Sequence, residues 1–239
     1  MLEQTDRPIL LRGRMVNLVR RKTTHDFMRA ESEKVATGIG TVALGLSGMT
    51  ALAVGMSTAA GNSVEEVDKV SFEIDDVQVD GLLWRFPFRE NDEVEVVAEK
   101  SKLGVTCFAV RRLEDELVAV YPHCTSGRRA YVKKSVKICG SLLVIWIVVM
   151  TYLFFMKAPL LSVPQKFYFL GATTVFPGLF LLFFALTAYR KDKSFMAISE
   201  RIFETFGWAD PANIDLKKTS KGKKRKGDGS GYGLWIFRC

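Results

Sequence analysis

Ile138–Met156 reads ICGSLLVIWIVVMTYLFFM and Phe167–Tyr189 reads FYFLGATTVFPGLFLLFFALTAY, runs of 19 and 23 residues without a charged side chain. At a rise of about 1.5 Å per residue, helices of these lengths reach across roughly 30 Å of hydrocarbon. Neither run shows the polar stripe that a core helix of a soluble domain keeps toward water. Tyr168 and Tyr189 stand at the ends of the second run, where interfacial aromatics belong, while Trp146 and Tyr152 lie within the first. The connection Lys157–Lys166 holds Pro159 and Pro164 and suits a turn outside the bilayer. Residues 138–189 therefore predict a transmembrane helical hairpin. Pro177-Gly178 falls midway along the second helix and predicts a kink, which serves either as a hinge or as packing geometry.

The rest of the chain agrees with this division. Over 239 residues, 34 Lys+Arg stand against 26 Asp+Glu, giving +8, and 48% of residues are hydrophobic. Residues 1–34 carry 8 basic against 5 acidic side chains, residues 62–137 carry 12 against 15, and residues from Arg190 onward carry 12 against 6. With Lys157 and Lys166 these account for every charge, so the blocks 35–61, 138–156 and 167–189 carry none. A single ordinary soluble domain is excluded by that distribution.

The block Val35–Gly61 (VATGIGTVALGLSGMTALAVGMSTAAG) is apolar but light. Gly38, Thr41, Gly45, Gly48, Ala51, Gly55 and Ala59 recur at spacings of three or four, placing small residues on one helical face interrupted by Leu44 and Leu52. Such faces let lipid-embedded helices approach closely. The pattern fits a glycine-rich apolar helix packed on the hairpin, or one that self-associates into a homo-oligomer around a pore. A segment lying at the interface is a third reading, since glycine-rich helices are weak in water.

Basic residues on both flanks of the hairpin (Arg128, Arg129, Lys133, Lys134 and Lys137 before it, Arg190, Lys191 and Lys193 after it) place both flanks on the cytoplasmic side. Arg20, Arg21, Lys22, Arg29 and Lys34 ahead of the glycine-rich block look cytoplasmic as well. One crossing by that block would put residues 62–137 outside, which the hairpin forbids. Either the block enters and returns, or the protein inserts late.

Between the apolar blocks, residues 70–134 alternate or cluster β-branched and aromatic residues in VSFEIDDVQVDGLLWRF, DEVEVVAEK, VTCFAVRRL and ELVAVYP. Turn signals sit at Asp80-Gly81, Glu90-Asn91-Asp92 and Leu103-Gly104. Four or five short strands predict a small SH3-like or OB-like β-barrel within 62–137. Its acidic balance argues against nucleic acid as a partner and favours an interaction module. Ile9–Val19 reads as strand and Thr23–Lys34 as helix, within the basic N-terminal region 1–34. In the C-terminal region 190–239, Ser194–Phe206 reads as an amphipathic helix, and Gly231–Cys239 regains strand character that can add an edge to the barrel. Between them, Lys217, Lys218, Lys221, Lys223, Lys224, Arg225 and Lys226 form a cluster suited to anionic lipid. The fold class is thus a membrane α+β protein.

Residues for catalysis are sparse. Cys107, Cys124, Cys139 and Cys239 form no CxxC pair and suggest no zinc site. His123-Cys124, read as strand, points its two side chains to opposite faces. Glu90, Asp92, Glu93 and Glu95 read as a solvated strand face, with valines on the other side. No P-loop, GxGxxG or GxSxG occurs, and the apolar runs hold no ionisable residue of the kind a proton-coupled transporter needs. The expectation is a protein that is not an enzyme and needs no cofactor or metal. The charged first 34 residues do not read as a signal peptide.

One resemblance bears on function. Ser199–Trp208 (SERIFETFGW), Asp210-Pro211, Ile214-Asp215-Leu216 and the closing Gly231–Phe237 (GYGLWIF) are similar to a family of proteobacterial proteins described as type VI secretion system effectors. That family is marked by a Glu-x-Ile-Phe motif, here Glu200, Ile202 and Phe203 with Arg201 between. The order of parts resembles it too: basic start, glycine-rich block, β insert containing FRENDEVEVV, hairpin and tail. The resemblance implies a small bacterial antibacterial protein injected into neighbouring cells, and the charge-free blocks with their small-residue face add the expectation of a toxin acting on the target's inner membrane by pore formation or depolarisation. Its implied partners are the lipid bilayer, a cognate immunity protein and a secretion adaptor. The competing reading is a resident inner-membrane interaction or immunity protein with a cytoplasmic β-barrel docking module.

Overall fold

The computed structural model of the protein describes residues 8–25, 65–101, 104–157, 162–229 and 231–239. The Val35–Gly61 block, with Gly38, Thr41, Gly45, Gly48, Ala51, Gly55 and Ala59, lies outside the described residues, as does most of Thr23–Lys34. The chain divides into two compact units. The first takes Met1–Thr125, Arg201–Trp208 and Leu216–Cys239, and the second takes Ser126–Glu200 and Ala209–Asp215.

The first unit is a mixed sheet of eight strands: β1 (Ile9–Arg14), β2 (Val16–His25), β3 (Glu65–Ile74), β4 (Val77–Leu83), β5 (Glu93–Ser101), β6 (Gly104–Arg112), β7 (Leu117–Val120) and β8 (Ile236–Arg238). The main path runs β1-β5-β6-β4-β3-β2. In β3 the two-residue period sends Val70, Phe72 and Ile74 into the core while Lys69 stays exposed. The chain then reverses at Asp75-Asp76, whose φ values of 47° and 64° match the left-handed pair of a type I′ hairpin.

Asp80-Gly81, expected as a turn, lies inside β4 instead. Gly81 serves close approach, because a Cβ there would come within 2.8 Å of the Cβ of Cys107 on β6, its partner in a short parallel ladder. The β6 edge is shared: Val105–Cys107 runs parallel to β4, while Ala109–Arg111 pairs antiparallel with β7. Against β5 the register jumps from Ala98↔Cys107 to Val97↔Ala109, leaving Phe108 as the extra residue of a bulge. β8 then pairs with β7 and brings the C-terminus into the sheet.

The expected SH3/OB-like barrel is corrected to an open sheet. β1 and β2 end the main path, yet only Met15 separates them in sequence. The path therefore curls until its ends meet at one residue. Met15 spends its backbone groups on the connection before β5, donating to the Asp92 carbonyl at 3.0 Å and accepting from the Asn91 N–H at 2.8 Å. Among the described residues no ladder joins β1 to β2. Met15 itself is fully buried with Phe72, Phe86, Phe88, Val94 and Val96. Thr23–His25, expected as helix, continue β2 against β3.

The second unit is built on two long helices. α1 (Arg128–Tyr152) passes into a π-helical turn, Leu153–Lys157, and α2 spans Val163–Thr205. α1 starts ten residues ahead of the charge-free run, and α2 continues unbroken past Tyr189. The separate amphipathic helix expected over Ser194–Phe206 is thus the end of α2, with Phe195, Ile202 and Phe203 almost fully buried. Pro164 sits in the first turn of α2, where its missing N–H costs nothing. The helices run antiparallel: Tyr131 meets Asp192, Trp146 meets Thr173 and Phe155 meets Phe167. Spans of 29 residues (Arg128–Met156) and 43 residues (Val163–Thr205) are long and apolar enough to cross a membrane, and none of the most apolar window of either is buried among the described residues.

Candidate functional site

The hairpin presents apolar side chains all round: Ile145, Val148, Phe176 and Leu179 are each more than half exposed. A proline in such a helix raises a specific problem. Pro177 has no N–H for the carbonyl four residues back, Thr173, and apolar surroundings offer no donor. Trp146 on α1 supplies it, its indole Nε1–H donating to the Thr173 carbonyl at 3.1 Å. The Thr173 hydroxyl turns back on the Phe169 carbonyl at 2.8 Å. The helix continues through Pro177 and Gly178, with that freed carbonyl stapled to its neighbour.

At the opposite end from the connection, the hairpin is tied by polar contacts. The Tyr131 hydroxyl donates to Asp192 at 2.9 Å, and Lys133 donates to the Asn213 side-chain oxygen at 2.8 Å. Gly127, before α1, has no side chain to cap the helix. Glu200 takes over, accepting the Arg128 backbone N–H at 2.8 Å and its guanidinium at 3.3 Å. A Cβ on Gly127 would lie 2.3 Å from the Pro211 carbonyl, so only glycine fits. The Glu-x-Ile-Phe motif therefore has structural work: Glu200 caps α1, Ile202 and Phe203 are buried, and Phe203 stacks on Trp208 with ring centres 5.4 Å apart.

In the sheet unit, charges form an alternating chain. Arg112 donates to both oxygens of Asp115, at 2.9 and 3.0 Å, and to Asp92 at 3.0 Å. Arg238 grips Asp228 with two bonds of 2.8 and 3.0 Å, reaches Asp115 at 3.3 Å, and donates to the carbonyls of Asp115 and Lys223. All five guanidinium donors of Arg238 are thereby used, on a side chain only 3% exposed. Hydrogen bonds from Arg238 hold the Asp228 carboxyl below the usual range. At Asp115, burial pushes upward, but the bonds from Arg112 and Arg238 and the Leu117 N–H outweigh it and the carboxyl is also lowered. Beside this network lies a cavity of about 470 Å³, bordered by Arg89, Asp92, Arg112, Glu114, Asp228 and Tyr232 among others. Of its carboxylates, Asp92, Asp115 and Asp228 are committed to arginines, while Glu114 is exposed.

Glu95, expected on a solvated face, is buried and paired with Arg111, whose Nε donates to it at 3.0 Å. Asp92 accepts the Arg89 N–H at 2.9 Å and closes the turn before β5, while Glu90 accepts the Asn17 N–H at 3.2 Å. His123-Cys124 lies in a turn rather than a strand, with His123 at φ 65°. His123 and Trp84 both reach one oxygen of Glu65, at 3.3 and 2.9 Å. Burial pushes the Cys107 thiol up, away from the thiolate a nucleophile requires. Among the described residues no group of three His, Cys, Asp or Glu is placed to hold a metal. In the basic cluster, Lys217 and Lys218 belong to a short helix, α3 (Leu216–Thr219), and Lys221, Lys223, Lys224, Arg225 and Lys226 follow on exposed turns. That stretch is pinned by buried Leu216 and Ser220 and by the Arg238 bond to the Lys223 carbonyl.

The Trp146–Thr173 bond and the Arg238 network are the features that the sequence did not disclose. The first had a usable signal, since a mid-helix proline orphans a known carbonyl. Comparison with protein-family models, curated proteins and solved structures finds no match for the chain.

Proposed function

We propose that the protein, whose tail and order of parts resemble a family of type VI effectors, is a membrane-integral, non-enzymatic effector that dissipates the potential across the inner membrane of a target bacterium. The observation that carries the proposal is the hairpin: two helices of spanning length whose apolar windows are not buried among the described residues. In water that surface would far exceed the apolar patch an ordinary monomer tolerates. In lipid it is matched, and the carbonyl freed by Pro177 already has an internal partner. In the sheet unit, Arg112 and Arg238 engage Asp92, Asp115 and Asp228, three of the four carboxylates beside the cavity, and hold the C-terminal strand.

The test is induced expression in a bacterium with no immunity gene, following membrane potential and dye entry by cytometry. The proposal expects rapid loss of potential while large dyes stay out. Unchanged growth and potential, with the protein confirmed in the membrane, would instead identify a resident interaction protein.

A further inference from the structure

The second unit contains ten Lys or Arg residues against four carboxylates, Asp192, Glu200, Asp210 and Asp215. Eight of the ten lie at the end of the hairpin away from its connection. The contacts divide these eight. Arg128 is engaged by Glu200, Arg129 lies 3.9 Å from Asp210, and Lys133 donates to Asn213. Lys134 and Lys137 on α1, and Arg190, Lys191 and Lys193 on α2, are exposed, and their side chains have no ion pair or hydrogen bond among the described residues. Asp192, the one carboxylate in their midst, is bound to the Tyr131 hydroxyl.

These five cations abut the apolar surface directly. Lys137 is followed by exposed Ile138, and Arg190 is preceded by Tyr189. From Tyr131 to Lys137 the helix rises only about 9 Å, close to the depth of a headgroup layer. Long basic side chains at that level extend toward phosphates while their stems stay on the apolar side. At the other end Lys166 sits 5.4 Å from the Phe155 ring. The charge is therefore one-sided, and half of it is uncommitted.

We infer that Lys134, Lys137, Arg190, Lys191 and Lys193 form a collar that binds the phosphate headgroups of anionic phospholipid in one leaflet. The inference rests on the hairpin spanning the bilayer. It differs from a general attraction of positive charge to membranes because the engaged residues Arg129 and Lys133 are assigned no part in it. Each collar charge contributes about fivefold to the preference for anionic over zwitterionic lipid.

The test reconstitutes the full chain in bilayers of equal phosphatidylglycerol and phosphatidylcholine, confirms insertion by resistance to alkaline carbonate, and counts retained lipids by native mass spectrometry. Wild type is expected to retain phosphatidylglycerol preferentially. K134Q/K137Q and R190Q/K193Q each lose most of that preference while staying inserted, and R129Q/K133Q keeps it. Equal retention of the two lipids by wild type, or equal loss in R129Q/K133Q, would overturn the collar. Displacement of the lipid by inorganic phosphate would also overturn it, since the site would then read a free anion. Extraction of wild type by carbonate would overturn the hairpin's insertion itself, an outcome distinct from the others.

Discussion

Replacing Trp146 with Phe keeps an aromatic ring of similar depth in the hairpin and removes one donor, the indole N–H on the Thr173 carbonyl. In most helices that carbonyl would fall back on the N–H four residues ahead, but here that residue is Pro177. The change therefore removes an interhelical bond, usually about 0.6 kcal/mol and up to roughly 1.7 in a membrane. It also leaves an unpaired carbonyl in hydrocarbon, which adds to the cost. We expect W146F to destabilise the hairpin by about 2 kcal/mol. P177A restores the helical donor, so in that background W146F should cost less than about 1 kcal/mol. The assay is a double-mutant cycle in mixed micelles, unfolding with SDS and following energy transfer between dyes on the two helices. A coupling of at least about 1 kcal/mol is expected from the lost and regained bond. If W146F costs the same with and without Pro177, the indole is packing only and the reasoning fails.

Four further outcomes follow from the contacts. Arg238→Ala strips five bonds from a nearly buried guanidinium and should cost about 3–5 kcal/mol, with β8 and the Lys217–Lys226 stretch losing amide protection first in hydrogen exchange. Asp115 and Asp228 have depressed folded-state pKa values, so their contribution is present above the unfolded value of about 4 and lost as pH falls through the lower folded values. Acid titration of β8 protection should show that loss, and D228N should remove part of it. Glu200→Ala removes the cap of α1 and should cost about 1 kcal/mol by thermal unfolding, with Glu200→Gln recovering part of it. Phe203→Ala should cost about 3–5 kcal/mol, and a variant that stays fully stable but is no longer exported would assign the motif to secretion instead of packing.

Much of the architecture was legible because the forces that set it are local. Charge-free runs of 19 and 23 residues can hardly be anything but long helices, and alternation in VSFEI and EVEVV marks strands whatever their partners. Pairing is not local. The closed barrel failed because Met15 spends its backbone on residues 91 and 92, and because β6 divides one edge between β4 and β7. The Asp80-Gly81 signal misled for a related reason: its glycine answers to Cys107 across the sheet and not to a turn. Glu95 looked solvated by alternation alone, and only the register that sets Arg111 opposite it explains its burial. The Arg238 network joins residues from β6, the β6–β7 connection, the tail and the final strand, which no spacing rule connects. The end of α2 was read as a separate helix because its composition changes at Arg190, although nothing there breaks the backbone.

A hairpin that crosses the bilayer twice, with both basic ends on one side, fixes which positions a water-soluble reagent can reach from each face. Single cysteines at positions 134, 193 and 165, in a chain freed of Cys107, Cys124, Cys139 and Cys239, would be labelled with an impermeant maleimide from either face of sealed vesicles. Positions 134 and 193 are expected to react from the same face and 165 only from the opposite one. Labelling of all three from a single face would contradict it.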